Sequence, residues 1–113
     1  MQVQDIPQES RYVLLDGVQE IGEEGYVDTA DGTQRILFHT FVSPERAGEG
    51  LGSTLVRSVV EDVVASGKRV VPVCPYVKAW LPKHPEYAQH VDGATPAHLD
   101  TVRAATSGEH PQH

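Results

Sequence analysis

The stretch FHTFVSPERAGEGLGSTLV, residues 38–56, sets Gly48, Gly50 and Gly52 at alternate positions between an apolar run and an amphipathic one. A glycine-rich turn that leads into a helix can do chemistry. The first helical N–H groups lack intrahelical partners and carry partial positive charge, and glycine removes the Cβ that would hold a ligand away. The natural guest is an anion, phosphate above all. The alternative is that the glycines only let the helix pack tightly against a sheet. Two common nucleotide motifs are excluded: no Lys-Ser/Thr follows the glycines, and GxGxxG fails because residue 53 is serine.

The elements that must position this turn are legible on both sides of it. Upstream, RYVLLDGVQEIGEEGYVDTADGTQRILFHTFV reads as three strands, with Asp16-Gly17 as a two-residue hairpin turn and a looser loop at Ala30-Asp31-Gly32. Gly22 and Gly25 predict a bulge or bend in the middle strand. Ile36 to Val42 is apolar on both faces and is expected to be a central strand, with Leu37, His39 and Phe41 on one side and Ile36, Phe38, Thr40 and Val42 on the other. Downstream, Leu51, Leu55, Val56, Val59, Val60, Val63 and Val64 recur at helical spacing up to Ser66-Gly67. VVPVCPY then reads as a short strand. Strand, helix and strand make a right-handed crossover, so Ile36–Val42 and Val70–Val73 are expected to be parallel neighbours. Pro72 has no N–H to donate, which predicts that the two strands diverge near their ends. Val77, Trp80 and Leu81 suggest a short helical turn. A brief helix is expected around Ala97 to Ala105, within a polar segment from residue 92 onward that is expected to be largely mobile.

At 113 residues the chain is expected to be one domain with an ordinary globular composition, 39% hydrophobic and 22% charged. Nine basic against 16 acidic residues give a net charge of −7, which disfavours nucleic acid as a partner. The single cysteine, Cys74, excludes an intrachain disulfide and a zinc site of paired thiolates. His39, His84, His90, His98, His110 and His113 show no metal-ligand spacing, so no metal is expected. Neither a signal-peptide segment nor a membrane-spanning run is present in the sequence, and a cytoplasmic location without membrane contact is the expectation.

The order of parts, with HTFVSPERAGEGLGSTLV joined to VVPVCPYVKAWLPKHPEY, resembles the GCN5-related N-acetyltransferases, and more narrowly their small, minimal branch. The resemblance covers residues 11–91, leaving 1–10 as an extension and 92–113 as a tail. It implies an α/β (α+β) fold: a mixed antiparallel and parallel sheet with splayed parallel strands and flanking helices. It also implies acetyl-CoA as the bound substrate and transfer of acetyl to an amine, a protein or peptide group or a small amine. The alternatives are a non-catalytic CoA-binding module or an interaction domain on the same fold.

In that family the loop amides take the coenzyme A pyrophosphate. The pattern falls on Ala47, Gly48, Glu49, Gly50, Leu51 and Gly52, followed by Ser53. Ala47 stands where Gln or Arg is usual, Arg46 comes one residue early, and Glu49 adds a carboxylate beside the expected phosphates. The resemblance further implies that Phe41, Val42 and Ser43 line one side of the pantetheine cleft and Val73, Cys74 and Pro75 the other, with a backbone N–H near Val42 polarising the thioester carbonyl. Cys74 is then either an acetyl-accepting thiol or a small buried apolar residue, and direct transfer from acetyl-CoA to the amine is the more usual mechanism in the family. His39 is either a general base or a structural histidine. Tyr76 is either an acid for the leaving thiolate or a core-edge aromatic. Lys83 and His84 are candidates for the adenosine or its 3′-phosphate.

Overall fold

In the computed structural model, which describes residues 1–107, five strands form one sheet in the order β1-β2-β3-β4-β5. They are β1 (Gln2–Ile6), β2 (Arg11–Asp16), β3 (Gln19–Asp28), β4 (Gln34–Val42) and β5 (Arg69–Pro72). The first four pair antiparallel, and β5 pairs parallel to β4 through the crossover helix α1 (Leu51–Ala65). Two further helices follow, α2 (Pro75–Trp80) and α3 (Pro96–Thr106). The mixed sheet with flanking helices is the expected fold class. His110, His113 and the end of the expected tail lie outside the described residues.

Helix α1 buries Leu51, Leu55, Val56, Val59, Val60 and Val63 against Tyr12, Leu14, Tyr26, Leu37 and Val70, and this layer is the core. A polar network stitches the same face. Arg35, 8% exposed, lies 3.9 Å from the Tyr26 ring centroid and donates to Tyr12 Oη (2.8 Å) and to Asp28 (2.7 and 3.0 Å). Tyr12 in turn donates to Asp62 on α1 at 2.6 Å, so the helix is tied to the sheet by a bond as well as by packing.

Three local features differ from the sequence reading. The segment set aside as an extension contributes β1, whose Val3 packs on the core; with so few apolar residues in QVQDI, the strand is held by its pairing to β2. The first hairpin turns one residue later than expected. Asp16 pairs with Gln19, leaving Gly17 (φ 62°) and a fully exposed Val18 as the turn, so only the first turn residue needs a left-handed backbone. Helix α3 is fastened rather than loose. Thr95 and His98 form a reciprocal cap, and His98 Nε2 lies 2.9 Å from Gln34 Oε1 at the start of β4.

The bulge expected in the middle strand is present at Ile21 of β3, and a second one, whose extra residue lies in β4, decides the site. Gly25 pairs with His39 while Tyr26 pairs with Leu37, which leaves Phe38 as an extra residue in β4. An ideal Cβ on Gly25 would lie 3.2 Å from the Phe38 ring, so glycine makes room for the bulge. Gly25→Val is therefore expected to destabilise the fold by about 1–3 kcal/mol through overpacking, measured by chemical denaturation.

Candidate active site

Strand β4 loses both neighbours' registers at one point. On the β5 side the parallel ladder ends at Leu37↔Pro72. The Leu37 carbonyl accepts from the N–H of both Val73 (2.9 Å) and Cys74 (3.0 Å), and β5 then turns away into α2. Residues 38–42 of β4 continue without a partner on that side, as the proline had suggested. On the β3 side the bulge at Phe38 resets the alternation of side chains.

Beyond this point a cleft of about 310 Å³ opens between β4 and the first turn of α1. Thr40 and Val42 line one wall, Arg46, Ala47, Gly48 and Gly50 the loop side, and Leu51, Gly52 and Tyr76 the rest. Gly48 (φ 89°) and Gly50 (φ 72°) both have left-handed backbones, and nothing lies within 4 Å of where a Cβ would project from either. Gly50 is the N-cap of α1 and no side chain caps the helix there. Gly52 has a different role: a Cβ would lie 2.7 Å from Tyr76 Oη, so this glycine admits the phenol rather than a ligand. Ser53 accepts from Trp80 Nε1 at 2.8 Å, which fixes α2 against the start of α1.

The loop's charges are mutually satisfied. Arg46 donates to both carboxylate oxygens of Glu49 (2.9 and 3.0 Å) and to Asp16 (3.0 Å). Hydrogen bonding to Arg46 holds the Glu49 carboxyl below its ordinary value. Ser43 donates to Glu45 at 2.8 Å.

Beside the cleft lies a group that the sequence reading missed. Thr40 Oγ1 is 3.1 Å from Cys74 Sγ and donates a hydrogen bond to Glu24 on β3. Glu24 is fully buried, and among the described residues its second oxygen, Oε2, has no hydrogen-bond partner. Burial pushes its carboxyl up to about 8, against the opposing pull of Thr40 and the His39 backbone N–H; the nearby Glu23 adds a smaller upward push. In the sequence, GEEGY reads as polar strand residues. Only the pairing Glu24↔Thr40, set by the bulge, reveals the contact.

The structure does not bring His39 to Cys74. The bulge turns His39 to the opposite face, where it is half-exposed, 3.4 Å from Glu23, and faces α3 across a separate cavity beside Phe38 and Thr106. Phe41 is 48% exposed at the strand end. Val73 is half-buried, Cys74 is buried as the N-cap of α2, and Pro75 is exposed. Lys83 lies beside Tyr76 and Trp80 in a small cavity next to the cleft. His84 stacks on Trp80 (centroids 3.7 Å apart), with Nδ1 2.8 Å from the Trp80 carbonyl, so its ring serves packing. Among the described residues no three His, Cys, Asp or Glu side chains are placed to hold a metal ion, and no helix is long and apolar enough to cross a membrane.

Glu24 makes stability pH-dependent in a definite direction. Its folded-state carboxyl keeps its proton to about pH 8, whereas an unfolded one loses it near 4.5. The folded state therefore binds more protons in that window, and stability falls as pH rises through it; below the window both states are protonated and the penalty vanishes. Glu24→Gln removes this titrating group. The wild type is expected to lose, relative to the variant, on the order of a few kcal/mol between acid and mildly alkaline pH, measured by denaturant unfolding at each pH.

Comparison with known proteins agrees with this architecture. A family model described as GCN5-related N-acetyl-transferase matches residues 11–91. No curated protein matches the sequence. Among solved structures, a GCN5-like candidate N-acetyltransferase from Staphylococcus aureus superposes with a TM-score of 0.62 at 24% identity, covering 86% of this chain and 93% of that one. An integron cassette protein from a salt-marsh metagenome gives 0.49 at 20% identity, over 61% of this chain and 48% of that one. A candidate GNAT-family acetyltransferase from Desulfovibrio desulfuricans gives 0.48 at 24% identity, over 70% and 52%. With the family match spanning most of its length, the chain belongs to the GCN5-related N-acetyltransferases.

Proposed function

We propose that the protein is an acetyl-CoA-dependent N-acetyltransferase that moves acetyl to an amine. The observation that carries this reading is the loop. Two left-handed glycines with open space above them lead into a helix start that no side chain caps, directly beside the point where β4 and β5 part. Amides of residues 48–53 suit a pyrophosphate, because the donors are backbone groups and the approach above Gly48 and Gly50 is clear of Cβ atoms. The end of β4 that β5 leaves unpaired, Phe41 and Val42 with Ser43 after it, suits the amide-bearing pantetheine arm, with Val73, Cys74 and Pro75 as the opposing wall on this reading. Lys83, beyond Tyr76, is the cation nearest in kind to a 3′-phosphate ligand.

On this reading the thioester lies near Thr40 and Cys74. An N–H near Val42 polarises its carbonyl, and Tyr76 supplies a proton to the departing thiolate. Cys74 accepts acetyl before the amine does, which makes the reaction a two-step transfer. The placement of His39 away from Cys74 favours a second reading, CoA binding without turnover, because one candidate base is turned from the cleft.

Calorimetric titration with acetyl-CoA tests the site. Saturable binding is expected in the wild type and its loss in Gly50→Trp, whose side chain would occupy the open space above the loop; no wild-type binding would overturn the reading. Binding without acetylation of any peptide or polyamine acceptor would favour the second. Glu49→Gln leaves Arg46 with Asp16 as its only carboxylate partner among the described residues and removes a negative charge beside the loop, so it is expected to tighten acetyl-CoA binding several-fold at low ionic strength, with the gain shrinking as salt is added.

A further inference from the structure

The carboxyl of Glu24 is buried in the core of a sheet, where an apolar residue would be cheaper, and one of its oxygens has no partner. Its other oxygen accepts from Thr40, and Thr40 is the side chain that stands between it and the cleft. The Thr40 hydroxyl has a single proton. While that proton is given to Glu24, the contact with Cys74 at 3.1 Å can only be a thiol donating to the Thr40 oxygen. With Glu24 ionised the chain therefore has a direction, from Cys74 S–H to Thr40 Oγ1 and from Thr40 O–H to Glu24 Oε1.

We propose that Glu24 is the proton acceptor for Cys74, reached through the Thr40 hydroxyl. The inference rests on the acetyl-transfer reading above and adds to it the group that makes the thiol a nucleophile. As the sulfur attacks the thioester carbonyl, the S–H bond breaks, Thr40 takes that proton and passes its own to Glu24. The new C–S bond forms on Cys74, the donor's C–S bond breaks, and the departing thiolate takes a proton from Tyr76, which solvent reprotonates, or directly from water. In the second half the amine attacks acetyl-Cys74 and gives a proton to solvent. Cys74 leaves as thiolate and recovers its proton from Glu24 through Thr40, which restores the starting state. An ordinary carboxyl, titrating near 4.3, is roughly four pH units too acidic to take a proton from a thiol of ordinary pKa near 8.5. A carboxyl lifted by burial to about 8 is matched to the thiol, and the relay runs in the ionised fraction of Glu24, so the rate of Cys74 acetylation rises with pH toward 8.

The test uses a donor that needs no coenzyme site. The full-length protein is mixed with p-nitrophenyl acetate, the nitrophenolate burst is timed, and the acetyl group is located by mass spectrometry, with Cys74→Ala as the blank. Thr40→Val keeps the side-chain shape and removes the hydroxyl; Thr40→Ser removes the methyl and keeps the hydroxyl. Glu24→Gln can still accept from Thr40 but takes no proton. Acetylation of Cys74 is expected to slow about 10²-fold in Thr40→Val and Glu24→Gln and to stay near the wild-type rate in Thr40→Ser, with all variants folded by circular dichroism. A packing role would give the reverse order for the two Thr40 variants. Wild-type speed in Thr40→Val, or a wild-type Cys74 inert to the ester, would overturn the relay. An intact burst with the expected variant pattern in a protein that binds no acetyl-CoA would uphold the relay and overturn the cofactor reading instead.

Discussion

The carbonyl of Leu37 is the last rung between the two parallel strands, and the rest of the site depends on it. It accepts two N–H groups, those of Val73 and Cys74, directly after Pro72, the last residue of β5, whose nitrogen faces away from β4 because the rungs to β4 come from residues such as Arg69 and Val73. Once both bonds are spent on one oxygen, β5 cannot continue along β4, and the chain turns at Cys74 into α2. The bulge at Phe38 lies one residue farther along β4 on its other side. A strand released from one neighbour and shifted against the other at the same place can offer backbone groups to a ligand and still be held in the sheet.

That geometry also sorts the side chains. Leu37, Thr40 and Val42 face α1 and the cleft, whereas Phe38, His39 and Phe41 do not. The polar trio Glu24, Thr40 and Cys74 is thereby enclosed between the apolar layer under α1 and the open cleft. Burying Glu24 works against stability over much of the neutral range, and the core offsets it. Leu55, Val56, Val59, Val60 and Val63 are fully buried, and the Arg35 network bonds α1 to β2 and β4 through Tyr12 and Asp62. A rigid frame carrying one unfavourable buried group is the pattern expected where a site needs a perturbed proton affinity.

Much of this was legible in the sequence because it rests on periodicity and on single residues with one conformational meaning. The valine-rich stripe of α1, the crossover to β5 and the glycine loop follow from such signals; the strands also part at Pro72, although the nitrogen that carries no proton lies on the edge of β5 away from β4. What escaped reading was whatever depends on register. Strict alternation along Ile36 to Val42 sends His39 to the same face as Leu37, and one extra residue, Phe38, reverses that assignment. Glu24 was hidden for the same reason, since nothing in GEEGY says which glutamate faces inward. Strand β1 was missed because QVQDI carries too few apolar residues to announce a strand that pairing alone sustains. The Arg46 clamp joins residues from a hairpin and a loop distant in sequence, Asp16 and Glu49, and no local pattern encodes it.

The central claim is that a thioester ligand lies along the parted strands with its phosphates on the glycine loop. Mapping amide chemical-shift changes as acetyl-CoA is added to isotope-labelled protein tests it most directly. The account predicts shifts concentrated on residues 47–53, on 40–42 and on 73–76, in one contiguous band from loop to Cys74. Shifts centred instead on Ser10, Arg11 and Thr106, which border the cavity on the opposite face, or no shifts at saturating ligand, would contradict it.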